Sequence, residues 1–402
     1  MTTAWRGHHG HDGVQRGNHL KSADVVVVGA GAIGLAVAVE LRRAGVERVI
    51  VVDRNAAPGM GSTGRANGGV RAQFSTEISI SFSQHTIRAL IELDRTTSGR
   101  VGYRPIGYLF MAGTDPSADA LSRAVDTQRS LGVAVEWMTV QQVAEIAPLV
   151  RVDGLRSAAF CATDGIIDPH GVTGALCDEG RRLGVAHIFD CEVKGLERSS
   201  GHTLVQCRDR TLEAAFVINA AGPHARNVAA MAGVDLPVLP RRRNLAVTEL
   251  VEGLPAQIPM CVDMDTGVLI RREGAGVLIG YSDPASPVTF DTGFEDAYLD
   301  AIAARVGNRF PMLREAPINP RKCWAGLYPE TADHHAIIDA PAASPWFVQC
   351  AGFGGHGIMH SLAAGRAVAE IVAHGRCTTF DLTPLRLGRF TGPDLRVETA
   401  VL

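Results

Sequence analysis

Two periods of apolar residues run through this chain, and the switches between them mark its elements. Val25–Val28 is a short β-branched run, the pattern of a buried parallel strand, and Val49–Val52 repeats it. Between them Ile33, Val37, Leu41 and Ala44 recur on one helical face. Ser79–Leu93 predicts a further helix, Tyr103–Gly113 strands, Ala118–Leu131 a helix, and Thr139–Pro148 a short capped helix. At Ala158–Val185 the pattern predicts a loop leading into a helix. Ala186–Arg198 and Thr203–Gly222 are strand-rich, and the latter ends in a glycine turn after the apolar run Phe216–Ile218. Residues 236–321 are strand-rich again, with Gly267–Ser282 patterned as a hairpin and Glu295–Phe310 as an amphipathic helix. Trp346–Gly375 predicts a strand, a second such turn, and a helix with Ile358, Leu362, Val368 and Val372 near one face. No internal repeat stands out.

The first strand–helix–strand unit carries chemistry. Gly29, Gly31 and Gly34 spell G-x-G-x-x-G directly after the strand. The first glycine permits the turn, the second lets a pyrophosphate approach the backbone, and the third lets the helix pack against the strand. Asp53 ends the second strand nineteen residues after Gly34, where a carboxylate can bind ribose hydroxyls. The order of strand, turn, helix, strand and acid implies dinucleotide binding, against the alternative of a glycine-rich turn with no ligand. The acid favours a free 2′-hydroxyl and leaves NAD and FAD undivided, because both contain the same ADP half. The loop from Arg54 to Phe74 is rich in small residues yet holds three arginines, more than a linker beside a phosphate site needs.

Composition narrows the class. The 402 residues suffice for two domains with substantial cores, and 46% hydrophobic with 20% charged residues is ordinary for an α/β protein. A net charge of −3 without a basic block argues against a nucleic-acid partner. No apolar run reaches the roughly 18 residues of a membrane span. The polar, histidine-bearing residues 1–22 lack an apolar signal core and are expected to form a flexible tail. The eight cysteines are scattered with no C-x-x-C, as for free thiols in a reducing cytoplasm, and no metal site is indicated.

FAD is favoured over NAD by the spacing of three strand-to-glycine-turn features, at Gly29–Gly34, Ala220–Gly222 and Gly352–Gly357, which span more than 300 residues. A contiguous NAD domain needs one. A flavin must be gripped at adenosine, pyrophosphate and ring. The helix beginning near His356 suits the last task, since its free N–H groups favour the negative charge of a reduced flavin.

The N-terminal fingerprint, "GSTGRANGGVRAQF", "DGIIDPHGVTGAL", "VINAAGPHA", "WAGLYPETADHHAIID" and "GFGGHGIMHS" follow in that order. Together they resemble the FAD-dependent amino acid oxidases and dehydrogenases related to sarcosine oxidase, glycine oxidase and D-amino acid oxidase, over about residues 23–380. The loop is especially similar to that in the flavin subunits of bacterial proline, sarcosine and opine dehydrogenases. The resemblance implies an α/β fold, with a discontinuous Rossmann-like FAD-binding domain (23–95, 150–225 and 322–380) and a smaller β-rich α+β substrate domain (96–149 and 226–321). Residues 381–402 are expected as a C-terminal tail. The implied reaction is oxidation of a small amino or imino acid, by transfer of a hydride from the amine-bearing carbon to flavin N5. A secondary amine such as an N-substituted glycine or proline is the expected substrate, and an imine the product.

By the same resemblance FAD is held by Gly29, Ala30, Gly31, Ala32, Ile33 and Gly34, by Asp53 and Arg54, and by Gly61, Ser62, Thr63 and Arg65. Val193 lies near adenine, followed by Ala221 and Gly222, while Gly354, Gly355, His356, Gly357 and Ile358 approach the ring. Arg71 matches the arginine that pairs with the substrate carboxylate; the alternative is a contact to flavin phosphate or a surface acid. Tyr328 matches an active-site aromatic, with a core tyrosine as the alternative, and His356 matches the histidine of the turn by the flavin, with capping or packing as the alternative. The cysteine that carries covalent flavin in the sarcosine oxidase branch aligns with Gly326, so non-covalent FAD is expected. The oxygen-activating lysine aligns with Leu278, and the second carboxylate-binding basic residue with Met359. Oxygen, a quinone or a partner electron-transfer subunit stay open as acceptor, and so does a hetero- or homo-oligomeric state. The alternatives to amine oxidation are a flavin-dependent 2-hydroxy acid dehydrogenase and a flavin-binding subunit without activity of its own.

Overall fold

Val25, Val26 and Val27 are wholly buried because helices cover one face of their strand and a hairpin-bearing layer the other. The strand Lys21–Val28 is central to a parallel array in this computed structural model, which describes residues 21–392 and 395–400. Across that sheet the order is Ile337–Asp339, Phe347–Ala351, Thr211–Asn219, Lys21–Val28, Val49–Val52 and Ala186–Ile188. All neighbours are parallel except the antiparallel first pair, and the hairpin Val193–Ser199/His202–Cys207 extends Thr211–Asn219 on its own edge.

Four helices lie on one face of this sheet: Ala32–Arg43, Glu77–Thr96, Pro169–Arg182 and the C-terminal helix Gly357–His374. The first and last touch backbone to backbone. A Cβ on Gly365 would stand 2.8 Å from the Ala36 carbonyl oxygen, so glycine is what permits the approach.

A second eight-stranded sheet runs in the order Trp324–Glu330, Leu239–Val247, Gly276–Tyr281, Val268–Glu273, Met260–Asp263, Tyr108–Ala112, Ser157–Cys161 and Val135–Trp137. Its alternation sorts two faces. Tyr108, Phe110, Val262, Leu269 and Leu278 pack toward the first sheet's helices, whereas Leu109, Met111, Cys261, Ile270 and Ile279 pack under the helix Ala297–Arg309.

Most predicted elements stand within a few residues of their expected places, including the helices Glu77–Thr96, Asp115–Ser130 and Val140–Ile146 and the hairpin Val268–Glu273/Gly276–Tyr281. Three expectations are corrected. The stretch expected as a loop before the helix Pro169–Arg182 holds the strand Ser157–Cys161, whose small residues without alternation carry no strand signature. That strand and Trp324–Glu330 belong to the second sheet, although both fall within the spans expected for the FAD domain. Finally, the described residues after 381 are no tail. Thr383–Leu385 and Leu387–Thr391 form short 3-10 turns, Arg389 pairs with Asp333 at 2.6 Å, and Glu398 is fully buried. The expected N-terminal tail lies, up to residue 20, outside the described residues, while Lys21 and Ser22 already belong to the first strand. Among the described residues no helix is long and apolar enough to cross a membrane.

Candidate active site

Four parallel strands of the first sheet deliver their C-terminal ends to one cavity of about 700 Å³. Val28 and Gly29, Val52 and Asp53, Ala220 and Ala221, and Ala351 and Gly352 all line it, which is where ligands bind in open parallel sheets. The second sheet closes the cavity with Arg243, Leu245, Leu269, Gly280 and Tyr328.

The first two glycine turns meet there. Gly29 has φ 114°, and a Cβ on it would lie 2.3 Å from the Ala220 carbonyl oxygen. Gly34 is tighter still, with a virtual Cβ 1.8 Å from the Gly29 oxygen. These two positions exclude side chains for reasons of backbone packing, while Gly31, whose virtual Cβ stands 3.2 Å from Thr63 Oγ1, lies on the cavity wall. Asp53 is held in place by its own neighbours: Oδ2 accepts from the Ala30 amide at 2.7 Å and Oδ1 from the Asn55 amide at 2.8 Å. The loop Gly61–Arg65 is fastened to the second sheet. Ser62 Oγ donates to the Leu327 carbonyl at 2.6 Å, Arg65 Nη1 to the Ala325 carbonyl at 2.8 Å, and Trp324 Nε1 to the Arg65 carbonyl at 2.8 Å. Arg65, expected to face the cofactor, thus has one guanidinium nitrogen committed to a backbone carbonyl, although the residue still lines the cavity.

Of the expected cofactor positions, Gly29, Gly31, Ala32, Ile33, Asp53, Arg54, Gly61, Ser62, Thr63, Arg65, Val193, Ala221, Gly222, Gly354, Gly355, Gly357 and Ile358 line the cavity. Ala30, Gly34 and His356 do not. Ala30 is buried beneath the turn, Gly34 is packed on Gly29, and His356 lies behind the third turn, Gly352–Gly357, with its ring edge-on to Phe74 at 4.9 Å. His356 is the N-cap residue of the helix Gly357–His374, but its side chain makes no capping bond. Burial drives its imidazole well below the ordinary range, and burial likewise pulls His360, one turn on, down to about 3. Both rings are therefore neutral at physiological pH.

Tyr328 lines the cavity with its ring against Gly355, where a Cβ would come within 2.5 Å of the ring. Arg71 sits deeper, 1% exposed and off the cavity wall. Its guanidinium lies 3.9 Å over the Phe74 ring and 5.4 Å from the Phe110 ring. Nη1 donates to the Gln73 carbonyl and Nη2 to the Ala400 carbonyl at 2.5 Å, while Nε has no partner. Among the described residues Arg71 makes no salt bridge, and burial works against its charged form, opposed in part by the nearby Glu398 and Asp164. The loop that carries it is pinned by Asp164, which accepts from the Ala72 amide at 2.8 Å and from Gln73 Nε2 at 3.0 Å. Burial pushes the Asp164 carboxyl up to about 6.

Sequence reasoning missed Leu245, Leu269, Gly280 and Arg243, which face the cavity from the second sheet, and His224, whose ring stacks on Phe290 at 4.6 Å. Their alternation places them on one sheet face, but nothing local says which face meets the cavity. The positions of departure also have places. Gly326 lines the cavity with a virtual Cβ 3.1 Å from Arg65 Cβ, and Cys323, off the wall, directs its thiol to the Asn319 carbonyl. Leu278 is wholly buried and Met359 nearly so.

The residues fit FAD: one wall joins the acid Asp53, the glycine turn Gly29–Gly34 and a helix N-terminus with no side-chain cap, the donor set a dinucleotide phosphate and ribose need. Comparison with known proteins agrees. A bovine (Bos taurus) FAD-dependent oxidoreductase domain-containing protein 1 is 29% identical over 96% of this chain and 88% of its own length. Human (Homo sapiens) mitochondrial sarcosine dehydrogenase is 26% identical over 88% of this chain, which spans only 40% of that longer protein. The crystal structure of L-proline dehydrogenase from P. horikoshii superposes with a TM-score of 0.86 at 25% identity, covering 94% of this chain and all of that one. The profile of the DAO family, described as FAD dependent oxidoreductase, matches residues 24–371, and the chain therefore belongs to the DAO family of FAD-dependent oxidoreductases.

Proposed function

We propose that the protein oxidises a small amino or imino acid at the carbon bearing nitrogen, with a secondary amine such as proline or an N-substituted glycine as substrate and an imine as product. Arg71 carries this reading. A guanidinium buried among aromatic rings, with Nε unpartnered and no salt bridge among the described residues, is costly to keep even with Glu398 and Asp164 near enough to favour its charge, and it is suited to a carboxylate that arrives with the substrate. The names of the proline and sarcosine dehydrogenases among its relatives support the same substrate class.

Bound FAD supplies the two-electron acceptor. The chain's own residues do the rest. Arg71 holds the carboxylate and thereby orients the carbon–hydrogen bond; Asp164 fixes the loop on which Arg71 stands. Tyr328 walls the cavity. His356 and His360, both neutral, add no positive charge that would repel an amine or compete for the carboxylate. Gly326 at the position of the branch's flavin-linked cysteine supports non-covalent FAD. Leu278 in place of the oxygen-activating lysine supports a quinone or a partner subunit as acceptor.

The test is anaerobic mixing of the purified, FAD-loaded protein with L-proline, sarcosine, N-alkylglycines and L-lactate. Bleaching of the oxidised flavin band by the secondary amines, slowing as pH falls and the amine protonates, is the expected result. Bleaching by lactate alone, or by none of them until a partner protein is added, overturns it.

A further inference from the structure

The segment from Leu395 to Ala400 lies across the N-terminus of the helix Glu77–Thr96, and its hold is narrow. Arg396, Val397 and Thr399 are exposed, whereas Glu398 is completely buried. The helix has no capping bond from its own N-cap side chain, Thr76. Glu398 fastens the segment to the residues that lead into the helix, from 322 positions away: Oε2 accepts from the Thr76 amide at 3.1 Å and from its hydroxyl at 2.6 Å, and Oε1 accepts from the Ser75 amide at 2.8 Å and from its hydroxyl. Two further bonds finish the attachment, from the Glu398 amide to the Asp333 carbonyl at 3.0 Å and from the Thr399 amide to Ser75 Oγ at 2.9 Å.

This latch delivers one group to the site. The Ala400 carbonyl accepts from Arg71 Nη2. A carboxylate that grips an arginine side-on uses Nε and Nη2 together. Nε is open, so half of that fork is free and the other half is taken by a neutral oxygen of the chain itself.

We propose that residues 395–400 are a strap that competes with the substrate carboxylate for Arg71, with Glu398 as the latch, so that substrate entry requires the strap to lift. The inference rests on Arg71 as the carboxylate anchor. The exchange is favourable in kind, because a charge-assisted pair of bonds replaces a single bond to a neutral carbonyl. The strap's exposed outer face and short run of contacts make it the kind of segment that opens without global unfolding. It lowers the apparent affinity by the fraction of molecules in which it is closed. Glu398 is thus a positioning residue, acting on substrate through Ala400 and Arg71.

The probe is pyrrole-2-carboxylate, an unreactive planar imino acid, followed by its perturbation of the flavin spectrum in the full-length FAD-loaded protein. Glu398→Ala is expected to tighten the probe by about tenfold, with a matching fall in KM for the best amine and kcat little changed. A purely structural role for Glu398 would weaken binding instead, and a purely electrostatic one, through its charge near Arg71, would tighten the probe without faster exchange of the strap amides. Hydrogen exchange on the unmutated protein needs no variant: amides of 395–400 should exchange faster with saturating probe. Arg71→Ala separates the failures. If it leaves probe binding intact, the anchor reading falls; if it abolishes binding while Glu398→Ala is neutral or weakening, or the 395–400 amides slow or stay unchanged, the strap falls alone.

Discussion

The glycine turn Gly29–Gly34 and the Arg71 loop both serve one cavity, yet their geometry has opposite origins. The turn is set by residues a few positions apart and by one neighbouring strand, through backbone approaches that only glycine allows. The Arg71 loop is set by residues far along the chain: Asp164 fixes its backbone, Phe110 flanks its guanidinium, and Ala400 occupies one of its donors. A local geometry can be spelled in a short motif and carried between proteins intact. One assembled from distant pieces can be retuned at any of them, which is suitable for the end of the site that chooses the substrate.

The sharpest way to break this contrast is at the turn. Gly34→Ala puts a methyl where the Gly29 oxygen stands and neither backbone can yield, so it should cost about 3 kcal/mol or more and abolish FAD retention. Gly388→Ala is the control, because a Cβ there meets nothing within 4 Å and the residue is off the cavity wall. Thermal melts and flavin content of the two purified variants check the pair. Equal behaviour would mean that the close approach does not govern the turn.

Arg71→Ala tests the other end. Loss of about 2–5 kcal/mol in binding of a carboxylate substrate is expected, the range for removing one partner of a buried charge pair. FAD content should stay normal, since Arg71 is off the cavity wall. Titration of the loaded variant with the amine found in the anaerobic screen measures it. Loss of flavin with substrate affinity intact would transfer Arg71 to the cofactor end.

The same contrast explains what could be read from the sequence. The valine runs, the G-x-G-x-x-G turn, Asp53 and the C-terminal strand–turn–helix are periodic or contiguous, and each stands where its pattern places it. Ser157–Cys161 was illegible as a strand because its residues are small and do not alternate, and it is held by pairing with Tyr108–Ala112. Leu245, Leu269 and Gly280 were illegible as site residues because they lie on three strands whose common face is fixed only when the sheets meet. The residues beyond 381 looked like a tail because polar, proline-bearing sequence gives no periodic signal, and a single buried glutamate bound to the entry of a distant helix leaves none.

Asp164 sharpens the comparison through pH. Burial raises its carboxyl from an ordinary 3.8 to about 6, so the fold prefers the protonated form. That contribution is whole below about pH 4 and is lost as pH rises through 6, and it amounts to about 3 kcal/mol. Asp333 has the opposite sign. Burial opposes its charge, but bonds to His335 and Arg389 hold it well below the ordinary range, so its contribution is present above about pH 4 and lost in stronger acid. Asp164→Asn should therefore flatten the fall in melting temperature between pH 4 and about 6 while leaving the acid limb in place. An unchanged profile would show that the Arg71 loop is not pinned through this carboxyl.

The smallest expected effect lies where the two ends join. Ser62 belongs to the cofactor loop, but its hydroxyl bonds the Leu327 carbonyl of the second sheet, next to Tyr328. Arg65 and Trp324 make two parallel links across the same seam. Because three bonds share the task and the loop's glycines keep their backbone, Ser62→Ala should cost only about 1 kcal/mol, the net value of one neutral hydrogen bond. FAD affinity should shift by a similar amount and substrate affinity hardly at all, as read from flavin release and the same amine titration. A larger loss of substrate affinity would mean that the local cofactor turn sets the position of the substrate wall, and the division between a motif-built end and an assembled end would then fail at this seam.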